Sequence, residues 1–154
     1  MDKIDWKIVG ELERDGRQSY ADLGERVGLS KSPVWARVQQ LEERGVIRGY
    51  AARLDPVALG LSVQSLVNVK IRLDAHDLFE RAVMDHPAIV ECHTTAGESD
   101  YVLRVFARSV DQLDDLLRNE LSKLPGVQGL ATLVCLKTIK QQGPVAQWAQ
   151  AGPV

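Results

Sequence analysis

Through the first third of the chain, hydrophobic positions recur with a helical period. Ile4, Ile8 and Leu12 are spaced by four, with Val9 beside them, so one face of a first helix is apolar. Asp15 and Gly16 end it, and residues 17–20 connect to a second helix whose stripe is Leu23 and Val27. Gly28 follows that stripe, where a left-handed C-cap costs glycine least. Ser30 then offers its hydroxyl to the open N–H groups of a third helix. Pro33 falls in that helix's first turn, where a missing N–H costs little. Val34, Val38 and Leu41, at i, i+4 and i+7, give the third helix its buried face, and Gly45 is its expected capping glycine. Residues 46–54 read as extended, with Gly49 at the tip of a wing or at a bulge.

Residues 55–62 form a turn-rich hinge, and beyond it the period changes to two. Over residues 63–73, Val67, Val69, Ile71 and Leu73 face one way, with Asn68, Lys70 and Arg72 opposite, as in a half-buried strand. Residues 77–86 read as a helix with Phe79, Ala82 and Val83 on one face, stopped by Pro87. Residues 89–95 and 101–107 read as strands around Gly97, Glu98, Ser99 and Asp100. Val110, Leu113, Leu117 and Leu121 mark a second helix, ended near Pro125, and residues 127–139 a last strand. The tail, residues 141–154, is expected to be poorly ordered, with Trp148 available to dock on a neighbour.

Two helices joined by a glycine-containing turn match the helix-turn-helix pattern, in which the second helix enters the DNA major groove. Adding the first helix and the β segment makes a winged helix-turn-helix over residues 1–54. The order βαββαβ over residues 63–140 is the ferredoxin-like split unit. The fold class is therefore α+β. A lone ferredoxin-like sheet exposes one face, and pairing such faces between chains would bury it and set two recognition helices apart.

Composition adjusts this picture only in part. Hydrophobic residues make up 45% of the chain, so a core is available. The net charge of −2 does not mark a nucleic-acid binder, but its distribution is more informative and does not exclude one. Within residues 31–53 there are five basic residues against two acidic ones, and DNA affinity rests on local phosphate neutralisation. No apolar run reaches membrane-spanning length, and the charged N-terminus is unlike a signal peptide, so a cytoplasmic protein is expected. Cys92 and Cys135 read as reduced, small core residues.

The order and spacing of several motifs resemble one family. They are Ile4 and Asp5; Arg14 to Arg17; Leu29 to Pro33; Arg37 and Val38; Leu41 and Glu42; and Gly45 to Tyr50. Further along come Asp55, Pro56, Gly60, Leu61, Pro87, Glu91, Cys92, Gly97, Asp100, Tyr101, Leu124 to Val127, Thr132 and Lys140. Together they resemble the Lrp/AsnC (feast/famine) transcriptional regulators over about residues 4–140. The resemblance implies a homodimer or higher homo-oligomer that binds double-stranded DNA and senses a small metabolite, an amino acid, through its second domain.

For DNA, the expected contacts are Ser30, Lys31, Ser32, Ala36, Arg37 and Gln40, with Arg37 reaching either a guanine or a phosphate. Trp35 is expected to pack against the first helix. For the effector, the expected residues are Gly97, Glu98, Ser99, Asp100, Tyr101 and Thr132. Asp100 or Glu98 would accept from an ammonium; the Gly97 backbone and the Thr132 hydroxyl would serve a carboxylate. Ala96 and Ser99 depart from the family's commoner Thr and Tyr.

Enzyme chemistry finds little support. His76, His86 and His93 lie on different elements, and no metal-ligand spacing, phosphate loop or nucleophile elbow is present. No cofactor, metal site or catalytic residue is expected. The alternative is a sirohaem (tetrapyrrole) decarboxylase of the related fold, which the basic second helix of the helix-turn-helix disfavours.

Overall fold

The computed structural model describes residues 1–152, in two compact units. The first is Met1–Arg53 together with residues 139–152, and the second is Leu54–Thr138.

In the first unit, α1 (Lys3–Arg14), α2 (Tyr20–Val27) and α3 (Lys31–Glu43) enclose Ile8, Leu23, Val27, Val34, Val38 and Leu41. These are the positions of the helical repeat, and burying each contributes about 1.5–3 kcal/mol. Asp2 caps α1, accepting from the N–H groups of Ile4 and Asp5 at 2.8 Å, while Asp5 accepts from the N–H of Asp2 at 2.9 Å. Ser19 caps α2 through the N–H of Asp22 at 3.1 Å. Gly28 ends α2 at φ 77°, as its position predicts. The turn into α3 is tight: the N–H of Leu29 donates to the carbonyl of Gly24 at 2.9 Å. A Cβ on Gly24 would lie 2.5 Å from the Leu29 carbonyl oxygen, so the turn requires glycine there.

Three expectations in this unit change. Ser30 has the extended backbone of an N-cap, but its hydroxyl makes no capping bond. Cap side chains bond the second or third helical N–H, and the third helical residue is Pro33, which has none. Residues 46–54 carry no strand pairing. Instead, the N–H groups of Val46 and Ile47 fold back onto the Leu41 carbonyl at 2.9 and 3.1 Å, and Tyr50 donates its hydroxyl to Glu42 at 2.9 Å. The tail is not formless. Residues Val145–Gln150 form α6, with Ala146 buried, and the N–H groups of Val145 and Ala146 donate to the Glu13 carboxylate at 2.7 and 3.1 Å. Trp148 is 70% exposed, and residues 153–154 of the expected tail lie outside the described residues.

The second unit is a four-stranded antiparallel sheet in the order β2-β3-β1-β4. Its strands are β1 (Val63–Ile71), β2 (Ile89–Thr94), β3 (Tyr101–Ala107) and β4 (Val127–Cys135). Helices α4 (His76–Met84) and α5 (Val110–Asp115) pack on one face, over Val67, Val69, Tyr101, Leu103 and Val105. This is the βαββαβ order that the alternation predicts.

The deviations are local. The ladder shifts between Lys70 and Ile71, β1 ends there, and Leu73 is 89% exposed rather than in line with Val69. Ala82 is half-buried, behind Phe79 and Val83. The last helix passes into a π-helical turn, Leu116–Glu120, and a 3₁₀ turn, Leu121–Lys123. Leu116 is 5% exposed in the π-helical turn, Leu117 packs half-buried against the same core, and Val110, at the start of α5, is 65% exposed. The last strand stops at Cys135, short of residue 139. Cys92 and Cys135 are free and half-buried, and burial pushes the Cys92 thiol up. Among the described residues, no helix is long and apolar enough to cross a membrane, and no three His, Cys, Asp or Glu side chains gather as a metal site.

Candidate DNA and effector sites

The candidate DNA face is the outer side of α3. Val34, Val38 and Leu41 seat the helix with 0–1% exposure, and the 3.6-residue period turns Ser32, Ala36 and Gln40 away from them. Lys31 stands exposed at the start of the helix, and Ser30 is exposed just before it. Ser32, Ala36 and Gln40 share one side of the helix, with Ser30 and Lys31 at its N-terminal end.

Trp35 and Arg37 flank this surface. Trp35 does not pack against α1; it is 52% exposed on the flank of that surface. Arg37 lies on the opposite flank and turns toward α1. One guanidinium nitrogen, Nη1, donates to Asp2 at 2.7 Å and to Asp5 at 2.6 Å. The two carboxylates hold the Arg37 guanidinium more firmly protonated than usual. The Asp5 N–H, with Arg37, holds the Asp2 carboxyl below the usual carboxylate range. Gln39, absent from the expected set, donates to Glu42 at 3.0 Å. Burial and the neighbouring Glu42 push the Tyr50 phenol well above its ordinary range.

The candidate effector residues do not form one cluster. Gly97 and Glu98 stand exposed at the tip of the β2–β3 hairpin, with Ser99 half-buried. The hairpin is closed by the Thr95 hydroxyl, which donates to the Ser99 carbonyl at 2.6 Å, and by the Thr95 N–H, which donates to the Asp100 carbonyl at 2.9 Å. Asp100 ties the hairpin to the end of β1. Its N–H donates to the Val69 carbonyl at 3.0 Å, and its Oδ2 accepts from the Ile71 N–H at 2.8 Å.

Tyr101 is a correction. It is 1% exposed, stacks near Phe79 with ring centroids 4.7 Å apart, and faces α4 rather than a ligand surface. Its hydroxyl donates to Glu80 at 2.7 Å and lies 2.8 Å from Nδ1 of His76. Desolvation, with Glu80 beside it, pushes this phenol far up. His76 and Glu80 were missed in the sequence, although their i, i+4 spacing on one helix face was there to be read. Thr132 stands on β4 opposite Val67, so β1 separates it from the hairpin strand.

Beside Asp100 lies a cleft of about 480 Å³ that hydrophobic spacing does not reveal; Lys70, Arg72, Asp74, Asp100 and Gln128 line it together with Ile71 and Leu73. The ladder shift at Lys70 and Ile71 opens this edge. Arg72 pairs with Asp74 at 3.2 Å in the open, while Asp100 is half-buried.

Comparison with known proteins covers both units. Residues 1–48 match the winged helix-turn-helix DNA-binding model, and residues 64–145 match the Lrp/AsnC ligand binding domain. The leucine-responsive regulatory protein of Escherichia coli is 39% identical over 144 residues, 92% of this chain and 88% of that one. The Bkd operon transcriptional regulator of Pseudomonas aeruginosa is 37% identical over 142 residues, 90% and 93% of the two chains. A transcriptional regulator of Neisseria meningitidis, solved as an L-Met complex, superposes with a TM-score of 0.90 at 35% identity, covering 94% and 96%. Fold, helix-turn-helix surface and relatives agree: the chain belongs to the Lrp/AsnC family of transcriptional regulators.

Proposed function

We propose that this regulator binds its operator through Ser30, Lys31, Ser32, Trp35, Ala36 and Gln40, and that an amino acid tunes the binding. The supporting observation is the exposed side of α3 opposite Val34, Val38 and Leu41. Gln40 suits bidentate pairing to adenine, Lys31 a phosphate or guanine, and Trp35 and Ala36 a thymine methyl. The protein acts in the cytoplasm.

The effector reading rests on the cleft beside Asp100. An amino acid presents an ammonium and a carboxylate. Asp100 keeps Oδ1 for the ammonium while Oδ2 holds the Ile71 N–H. Lys70 and Arg72 line the same cleft and supply donors for the carboxylate. Gly97, Glu98 and Ser99 sit on the hairpin that Asp100 anchors. The relative solved with L-Met supports an amino acid as the ligand class.

Assembly follows from the sheet face that bears no helix. Leu66, Leu133 and Arg104 sit side by side there, with Val102 and Phe106 along the same strand as Arg104. Leu133 is 59% exposed. Covering this face with a second copy forms a homodimer, and further association of dimers builds the higher oligomer.

The test is a thermal-shift screen of the twenty amino acids on the wild type and on Arg72→Ala. A ligand of the folded state stabilises it by RT ln(1 + [L]/Kd), about 2.7 kcal/mol at a hundredfold excess over Kd. One or a few amino acids should raise the melting temperature, and Arg72→Ala should blunt the rise. A rise that Arg72→Ala leaves intact would move the effector site elsewhere, and no rise with any amino acid would remove the effector class.

A further inference from the structure

Arg37 carries an inference that rests on the DNA-binding reading but assigns this residue a different part in it. The geometry points to Asp2, Asp5 and Arg37 as an interhelical clamp that fixes the recognition helix α3 against the first turn of α1, with Arg37 a positioning residue and not a DNA contact.

The bond pattern is closed. Asp2 Oδ1 accepts from the N–H groups of Ile4 and Asp5, and its Oδ2 from Arg37. Asp5 Oδ2 accepts from the N–H of Asp2, and its Oδ1 from Arg37. Each carboxylate therefore uses one oxygen to start α1 and the other to hold α3. Arg37 spans a separation of 32–35 residues in sequence. Its side chain is 32% exposed and that of Asp5 13%, so the pair is partly withdrawn from water.

Charge argues the same way. Two carboxylates against one guanidinium leave the cluster with a net negative charge, which repels phosphate. For Arg37 to reach DNA it would have to abandon two charge-assisted bonds of 2.6 and 2.7 Å. On the helix it sits on the flank between the buried stripe and Gln40, outside the line that Ser32, Ala36 and Gln40 share. Keeping α3 at a fixed angle to α1 keeps that side presented to the groove.

The experiment is a double-mutant cycle of Arg37→Ala and Asp5→Asn in the full-length protein, with Arg37→Lys as the conservative variant. Two readouts are taken: thermal unfolding, and titration onto DNA from the gene's own upstream region at several salt concentrations. All titrations are run at a temperature where each variant is folded. The clamp predicts that Arg37→Ala and Asp5→Asn each weaken DNA binding about three- to tenfold, in the same direction. The double variant should lose little more than the worse single one, in melting as in binding. The loss should be uniform across operator variants, the salt dependence should keep its slope, and Arg37→Lys should recover part of the affinity. If Arg37 instead met a phosphate, the salt slope would fall by about one unit. If it read a base, the loss would sit at one position. Asp5→Asn would then release it and tighten binding. Any of those three results overturns the clamp. So does additivity of the two substitutions in melting, and that readout holds even if the wild type binds no DNA fragment, an outcome that would defeat the DNA reading separately.

Discussion

The two units place their polar side chains differently. In the helix-turn-helix unit, side-chain bonds at the surface tie one helix to another, Arg37 to Asp2 and Asp5 and Arg26 to Glu11, and Tyr50 ties the segment after α3 back to Glu42. The core beneath is apolar and small. In the sheet unit, polar bonds pin loops to strand ends and reach into the core. Asp100 holds the Ile71 backbone, and the Tyr101 hydroxyl bonds His76 and Glu80 beneath α4. The helical unit can therefore shed a surface bond and keep its fold, whereas the sheet unit carries its candidate sensor on bonds that also build it.

Breaking each unit at its densest point should separate them. Leu103 is 0% exposed in the central strand β3, and Leu103→Ala should destabilise the sheet unit by about 2–5 kcal/mol, measured by denaturant unfolding. Gly24→Ala should come next. Its Cβ meets the Leu29 carbonyl at 2.5 Å, so the turn must open, at about 3 kcal/mol, with loss of DNA binding. Retained DNA affinity in Gly24→Ala would show that the turn is not what orients α3.

Smaller changes sharpen the contrast. Tyr101→Phe removes one buried hydroxyl and leaves Glu80 and His76 without it; about 1–3 kcal/mol of stability should go, measured by denaturant unfolding. Ser19→Ala should cost about 1 kcal/mol because its hydroxyl caps α2, whereas Ser30→Ala should change stability by less than about 0.5 kcal/mol because its hydroxyl caps nothing. Equal losses at the two serines would contradict the absence of a cap on α3.

A pH titration gives the smallest effect. The folded pKa of Asp2 lies below its ordinary value of 3.8, so its contribution is present above that value and lost as pH falls through the depressed one. The melting difference between wild type and Asp2→Asn should shrink as pH drops below about 4. A difference that persisted under full protonation would have another source.

What the sequence made legible follows the same division. Helical period alone placed Val34, Val38 and Leu41 inside and Ser32, Ala36 and Gln40 outside, because a helix face is fixed by local spacing. It could not place Arg37, whose partners lie more than thirty residues away. Nor could it show that Pro33 deprives Ser30 of a donor until the helix start was fixed to a single residue. In the second half, alternation located all four strands, and the β2–β3 hairpin appeared where Gly97 and Asp100 suggested. Helical and strand periods could not show how the expected effector residues lie relative to one another, because that is set by strand order. Tyr101 begins β3 facing the helices, and Thr132 lies beyond β1 on β4. A ladder shift at Lys70 and Ile71 and a π-helical turn at Leu116–Glu120 are packing outcomes with no signature in hydrophobic spacing.

The central claim is that an amino acid bound in the sheet unit changes how α3 engages DNA. The most direct measurement is a titration of the wild-type protein onto its own upstream DNA, with and without the amino acid that most raises its melting temperature. Coupling of about 1–3 kcal/mol predicts a 5- to 150-fold change in DNA affinity, and the same factor in amino-acid affinity when DNA is bound. An amino acid that binds and stabilises the protein, yet leaves the DNA affinity unchanged, would contradict the account.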